Sequence, residues 1–234
     1  MLRPFLWVIL PYISLTIFIS GHIWRYQYDQ FGWTSKSSEI LEKKQLRLGS
    51  LLFHWGILFV FAGHVMGIFI PESVYATLGI TEETYHLIAL VGGIPAGLAA
   101  LIGLLILIRR RATVKRVRAT SSRGDWIALF FLAVVILTGL SATLFNIDSN
   151  GFDYRTTIGP WFRSVLAFRP NPAYMEQVPI IFQIHIIAAL GIFAVWPFTR
   201  LVHIFSLPLR YFNRSYVVYR KHMPKQTDQP HDIY

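Results

Sequence analysis

The 234-residue chain is 54% hydrophobic and 15% aromatic, with 15% charged residues and a mean hydropathy of +0.47, which excludes an ordinary soluble domain. Cysteine is absent, which excludes disulfides, iron–sulfur ligation, thiolate nucleophiles and covalent c-type haem attachment. The formal charge of +10 does not point to nucleic acid, because the basic residues segregate by membrane side rather than along one face.

Charges are bunched and leave five uncharged windows: Pro4 to Trp24, Leu48 to Pro71, Thr84 to Ile108, Trp126 to Ile147 and Gln177 to Thr199. Each is long enough for about 20 helical residues to cross about 30 Å of hydrocarbon. The expected fold is therefore all-α, an integral-membrane bundle of five transmembrane helices over 4–24, 48–70, 84–108, 126–147 and 178–204, followed by a tail over 205–234. The first window is longer than a signal-peptide core and lacks a small-residue cleavage pattern, so it reads as a mature helix. No repeat or linker divides the chain, and residues 1–234 read as a single membrane domain.

Segments 25–47, 109–123 and 200–234 hold 5, 7 and 6 Lys/Arg, whereas the N-terminus and segments 71–84 and 146–178 hold 1, 0 and 3. By the positive-inside rule the N-terminus lies outside and the C-terminus in the cytoplasm. The cluster Arg109, Arg110, Arg111, Lys115, Arg116, Arg118 and Arg123 reads as a topology signal in contact with headgroups. Segment 205–221 mixes Arg210, Tyr211, Phe212, Arg214, Tyr216, Tyr219 and Arg220, as either a protein-docking or a membrane-surface segment would.

Ionisable residues inside spans are costly and mark function, which directs attention to the histidines. His222 and His231 fall in the tail, and His22 sits beside Trp24 and Arg25 at a helix end, as an interfacial residue would. Four remain: His54 and His64 on the second helix, His185 and His203 on the fifth. A spacing of 18 residues makes five turns and about 27 Å of rise, whereas a spacing of 10 makes about 15 Å, so a kink at Pro197 is expected to lower the mismatch.

Lone membrane histidines often do no more than hydrogen-bond across helices, but four at two depths, with no Asp, Glu or Cys in any of the five windows, point to bis-imidazole haem iron. Topology pairs His64 with His185 at the outer level and His54 with His203 at the inner level. Both axial positions are then filled, so the haems carry electrons and bind no substrate. Gly56, Gly63 and Gly67 share a stripe of the second helix, where small residues serve close packing or make room for a porphyrin.

The segments LFHWGILFVFAGHVMGI and FQIHIIAALGIFAVWPFTRLVHIFSLP, with WRYQYDQFGWTSKSSEIL before them, resemble the gamma subunit, the membrane cytochrome b, of respiratory nitrate reductase. The likeness covers nearly the whole chain, and the spacing H-x9-H with H-x17-H-x-x-S-x-P carries it. It implies two non-covalent haem b groups, the inner held by His54 and His203 and the outer by His64 and His185. It implies quinol, menaquinol or ubiquinol, as electron donor near the outer face of the cell membrane. It also implies two cytoplasmic partners, an iron–sulfur beta subunit and a molybdenum alpha subunit, which hold all the nitrate chemistry. The family places a lysine at the start of the third helix as a quinone contact. The matching position here is Thr84, with His86 as candidate substitute, so Gly63, His64, Thr84 and His86 form the candidate quinol set. A cytochrome b of another quinone-linked oxidoreductase and a non-redox membrane protein remain the alternatives.

Overall fold

The computed structural model describes residues 2–29, 38–148 and 152–205. The expected tail, from residue 206 on, and with it His222 and His231, lies outside the described residues. The described residues form helices and no strands. Five helices are long and apolar enough to cross a membrane: Leu2–Tyr28, Lys44–Phe69, Glu82–Thr113, Arg123–Phe145 and Ile180–Phe198, here the first to fifth spans. Their outward faces are apolar, with Leu51, Phe59, Val91 and Phe130 among the exposed side chains, as a lipid-facing surface requires.

The second span packs along the third, the third against the fourth, the fourth against the fifth and the fifth against the first. The closest pair is the second and third. A Cβ on Gly56 would fall on the backbone of Ala96 and Ala100, and one on Gly103 on the backbone of Gly49 and Phe53, so small residues let these two backbones touch. Gly56 thus serves packing. The second span, with His54 and His64, and the fifth, with His185 and the turn after it that holds His203, do not pack along one another; the third and fourth hold them apart across a gap.

Local irregularities are satisfied by side chains from other elements. Pro11 has no N–H to give Trp7 four residues earlier, and the indole Nε1 of Trp161 supplies that donor to the Trp7 carbonyl at 2.9 Å. The second span ends in a π-helical turn, Val65–Phe69. Two of its carbonyls take side-chain donors, Met66 from the Tyr75 hydroxyl at 2.8 Å and Ile68 from Arg163. Each is a polar group that would be costly to leave unpaired at this depth.

The fifth expected helix, 178–204, is shorter than the sequence suggests. Its α-helical part is Ile180–Val195, followed by 3₁₀ turns at Trp196–Phe198 and Arg200–Ile204. Pro197 removes one helical N–H and its ring opposes the carbonyl four residues back, and Thr199 is extended at φ −121°, ψ 177°. The break is held on all sides. Pro197 lies against Gly21, where a Cβ would come within 2.8 Å of its ring. Arg25 donates to the Pro197 carbonyl at 2.9 Å, and the Trp196 indole donates to Leu201 O at 2.9 Å.

At the end bearing Lys44, Thr113 and Arg123, called here the basic end, two arginines of the expected headgroup cluster are buried instead. Arg110 donates to Glu42 Oε2 at 2.7 Å and to Ser38 O at 2.8 Å. Arg111 donates to Asp125 Oδ2 at 2.8 Å and to Ser121 Oγ at 2.7 Å. They clamp the flanks of the second and fourth spans to the end of the third, so only their exposed neighbours are placed to meet headgroups.

Candidate functional site

Two imidazole pairs face each other across the gap. His64 and His185 have ring centroids 6.0 Å apart with planes at 38°; His54 and His203 have centroids 6.0 Å apart with planes at 72°. With metal–nitrogen bonds of about 2 Å and ring centres about 1 Å behind the ligating nitrogen, two axial imidazoles on one metal have centroids about 6 Å apart. Both pairs match that separation. The break at Pro197 makes the second pair: by ending the helix at Val195 it replaces the long straight rise expected between His185 and His203 with a turn that brings His203 to the level of His54.

The second ring nitrogens are all engaged. His54 Nδ1 meets Ser50 O at 2.7 Å, His64 Nδ1 meets Val60 O at 2.7 Å and His203 Nδ1 meets Arg200 O at 2.7 Å. His185 Nδ1 lies 3.1 Å from Thr138 Oγ1, whose own proton goes to Val134 O at 2.8 Å, so the imidazole donates. A carbonyl accepts only, which places the protons on Nδ1 and leaves Nε2 as the lone-pair nitrogen on each ring. A partner on the far nitrogen is the usual support of a metal-bound histidine. Among the described residues no group of three or more His, Cys, Asp or Glu comes together. Two ligands per site would suit an iron whose other four positions a porphyrin fills.

The glycines divide by role. A Cβ on Gly63, next to His64, would meet nothing within 4 Å, and the same holds for Gly92 and Gly93 of the third span. Gly67 instead sits under the Tyr154 and Tyr85 rings, 2.7 Å from Tyr154 Cε2 to its hypothetical Cβ. Gly139 of the fourth span is the close neighbour of His185: a Cβ there would come 2.9 Å from its Cε1. Thr138 and Gly139 were not singled out by the sequence reading, although a Thr-Gly-Leu-Ser patch inside the apolar fourth window was a visible signal.

The other candidates are placed as follows. Thr84 Oγ1 meets Thr81 Oγ1 at 2.9 Å in the cap of the third span. His86 Nε2 meets Ile147 O at 3.1 Å. His22 packs its ring against Phe18 and Phe205, close to the turn that carries His203 and not in either pair. At the start of the third span, at the end opposite the basic one, Arg155 is 3% exposed, paired with Asp153 at 2.9 Å and stacked 4.2 Å over the Tyr85 ring. Burial pushes the Tyr154 hydroxyl above its ordinary pKa, and it lies 3.4 Å from Tyr85 OH.

The family model of the nitrate reductase gamma subunit matches residues 3–222. The nitrate reductase gamma chain of Bacillus subtilis is 62% identical over 216 residues, which cover 92% of this chain and 97% of that one. The respiratory nitrate reductase 2 gamma chain of Escherichia coli is 38% identical over 221 residues, 94% of this chain and 97% of its own. The nitrate reductase-like protein NarX of Mycobacterium tuberculosis is 41% identical over 222 residues, 94% of this chain but 34% of that longer protein. With five apolar spans and a match over nearly its full length, this multi-pass membrane chain belongs to the nitrate reductase gamma subunit family.

Proposed function

We propose that the chain is the two-haem membrane cytochrome b that oxidises quinol for a nitrate reductase complex and anchors that complex in the cell membrane. The observation that carries this is the repeated pair: two sets of imidazoles at 6.0 Å, with all four Nδ1 atoms engaged by oxygen acceptors. His64 and His185 hold the outer haem, and His54 and His203 the inner. Haem bound at each pair supplies a one-electron carrier with no open coordination site, and two at different depths connect the outer face to the inner.

The chain's own groups do the rest. Nδ1 donation fixes each ring's rotation and raises the basicity of Nε2. Quinol, menaquinol or ubiquinol, is oxidised near His64 at the outer end, where Gly63 borders open space and Thr84 and His86 supply the polar groups at the start of the third span. With Nε2–H given to Ile147 O, His86 Nδ1 is the nitrogen that accepts a quinol proton. Protons are left on the outer side while electrons leave inward. On the basic, cytoplasmic side an iron–sulfur beta subunit receives those electrons and passes them to a molybdenum alpha subunit. The docking surface is the inner loops with the tail after residue 205.

Haem content and the reduced-minus-oxidised spectrum of the purified chain test the reading. Wild type should hold two non-covalent b haems; His64→Ala and His185→Ala should remove one, His54→Ala and His203→Ala the other. A gently purified wild type with no haem, or four variants that all lose the same haem, would overturn it.

A further inference from the structure

A groove of about 390 Å³ runs along the second span at the basic end, lined by Glu39, Lys43, Arg47, Ser50, His54 and Trp55 among others. At about 100° per residue, positions 43, 47, 50 and 54 share a stripe about 60° wide, on which Arg47 and His54 lie about 20° apart. That stripe points away from the third span, which meets the Gly49, Phe53 and Gly56 face. The groove therefore continues, towards the basic end, the same face from which His54 reaches His203.

Arg47 is exposed on that stripe, and no hydrogen bond or ion pair of its side chain occurs among the described residues. Four other arginines at this end are engaged. Arg25 bonds Asp29 and Pro197 O, Arg110 bonds Glu42 and Ser38, and Arg111 and Arg200 share Asp125. Lys43 has an exposed Glu39 at 3.7 Å, a contact of little strength in water.

Haem b carries two carboxylates on one edge, and carboxylates at hydrocarbon depth are costly unless they reach water or a cation. For a haem between His54 and His203 the nearer water is at the basic end. Arg47 lies seven residues before His54, about 10 Å along the axis, which a porphyrin edge and an arginine side chain together span. We propose that Arg47, with Lys43 behind it, receives the carboxylates of the haem held by His54 and His203. This rests on the two-haem reading and adds to it a tuning residue: a fixed positive charge favours the less positive, ferrous iron and raises the inner midpoint potential.

A lipid phosphate offers the same anion chemistry, and redox titration of the complete complex in its membrane separates the two. Wild type, Arg47→Gln, Arg47→Lys and, as a charge control, Arg109→Gln are compared. Arg47→Gln should lower only the potential that His54→Ala abolishes, by about tenfold in its reduction equilibrium, or about 59 mV for one electron. Arg47→Lys should recover most of it, and Arg109→Gln should move neither potential. Unchanged potentials in Arg47→Gln, with anionic lipid lost from the purified complex, would assign the arginine to lipid and overturn the proposal. A wild type without two b-type potentials would instead overturn the two-haem reading beneath it.

Discussion

His185 is held from two sides by the fourth span. It donates to Thr138 on one side, and on the other the Gly139 Cα leaves no room for a Cβ, which would stand 2.9 Å from Cε1 and 3.3 Å from Nδ1. Gly139→Ala must therefore rotate the ring out of its pair or push the fourth span away. The expected cost is about 1–3 kcal/mol, with the outer haem diminished and the inner one intact. Haem spectra of the variant beside wild type check this, and an unchanged outer band would show that the ring has slack. At the basic end, the backbone N–H of Gln45, helped by Arg110, holds the Glu42 carboxyl below its ordinary pKa. A carboxyl depressed in the folded chain stabilises it fully above the ordinary carboxylate value and loses that contribution as pH falls through the folded value. Thermal melts in detergent should thus drop on acidification below the ordinary carboxylate range, and Glu42→Gln should flatten that part of the profile.

The five spans were legible because hydrocarbon thickness sets their length and charges mark their ends; the windows and the helices differ by a few residues at most termini. The four histidines stood out because they fall in two pairs at two depths and no Asp, Glu or Cys occurs in the five uncharged windows. The break in the fifth span was only half legible. Pro197 announced a kink, but an ordinary proline kink continues the helix, whereas here Gly21, Arg25, Thr199 and Trp196 stabilise a true end, and three of those four lie in distant sequence or act through backbone carbonyls that no pattern reveals. Pro197→Ala tests whether proline or its surroundings sets the turn. If proline does, residues 196–204 rewind, His203 leaves the level of His54, and the inner haem is lost while the outer one remains. Retention of both haems would give the role to Arg25 and the Thr199 cap.

At the scale of the whole molecule, the gap between the second and fifth spans is kept open by spans that carry none of the four histidines. The spacing of the second and third spans is set by two backbone contacts, Gly56 on Ala96 and Ala100, and Gly103 on Gly49 and Phe53. Sequence showed the small residues but not which of them touched: Gly56 packs on the third span, Gly67 lies under tyrosine rings and Gly63 faces open space, although all three share one stripe. His54 and His64 both ride on the second span, so a displacement of that span moves one member of each pair. Gly56→Leu sets a side chain against backbone that cannot yield, and should destabilise by about 3 kcal/mol or more. Both haems should fall together in it, unlike Gly139→Ala or Pro197→Ala, which each disturb one. Haem stoichiometry and Tm measured on the same detergent-solubilised samples distinguish the cases. Loss of one haem alone in Gly56→Leu would mean that the two halves of the second span bend independently, with the contact at Gly103 as the fixed point.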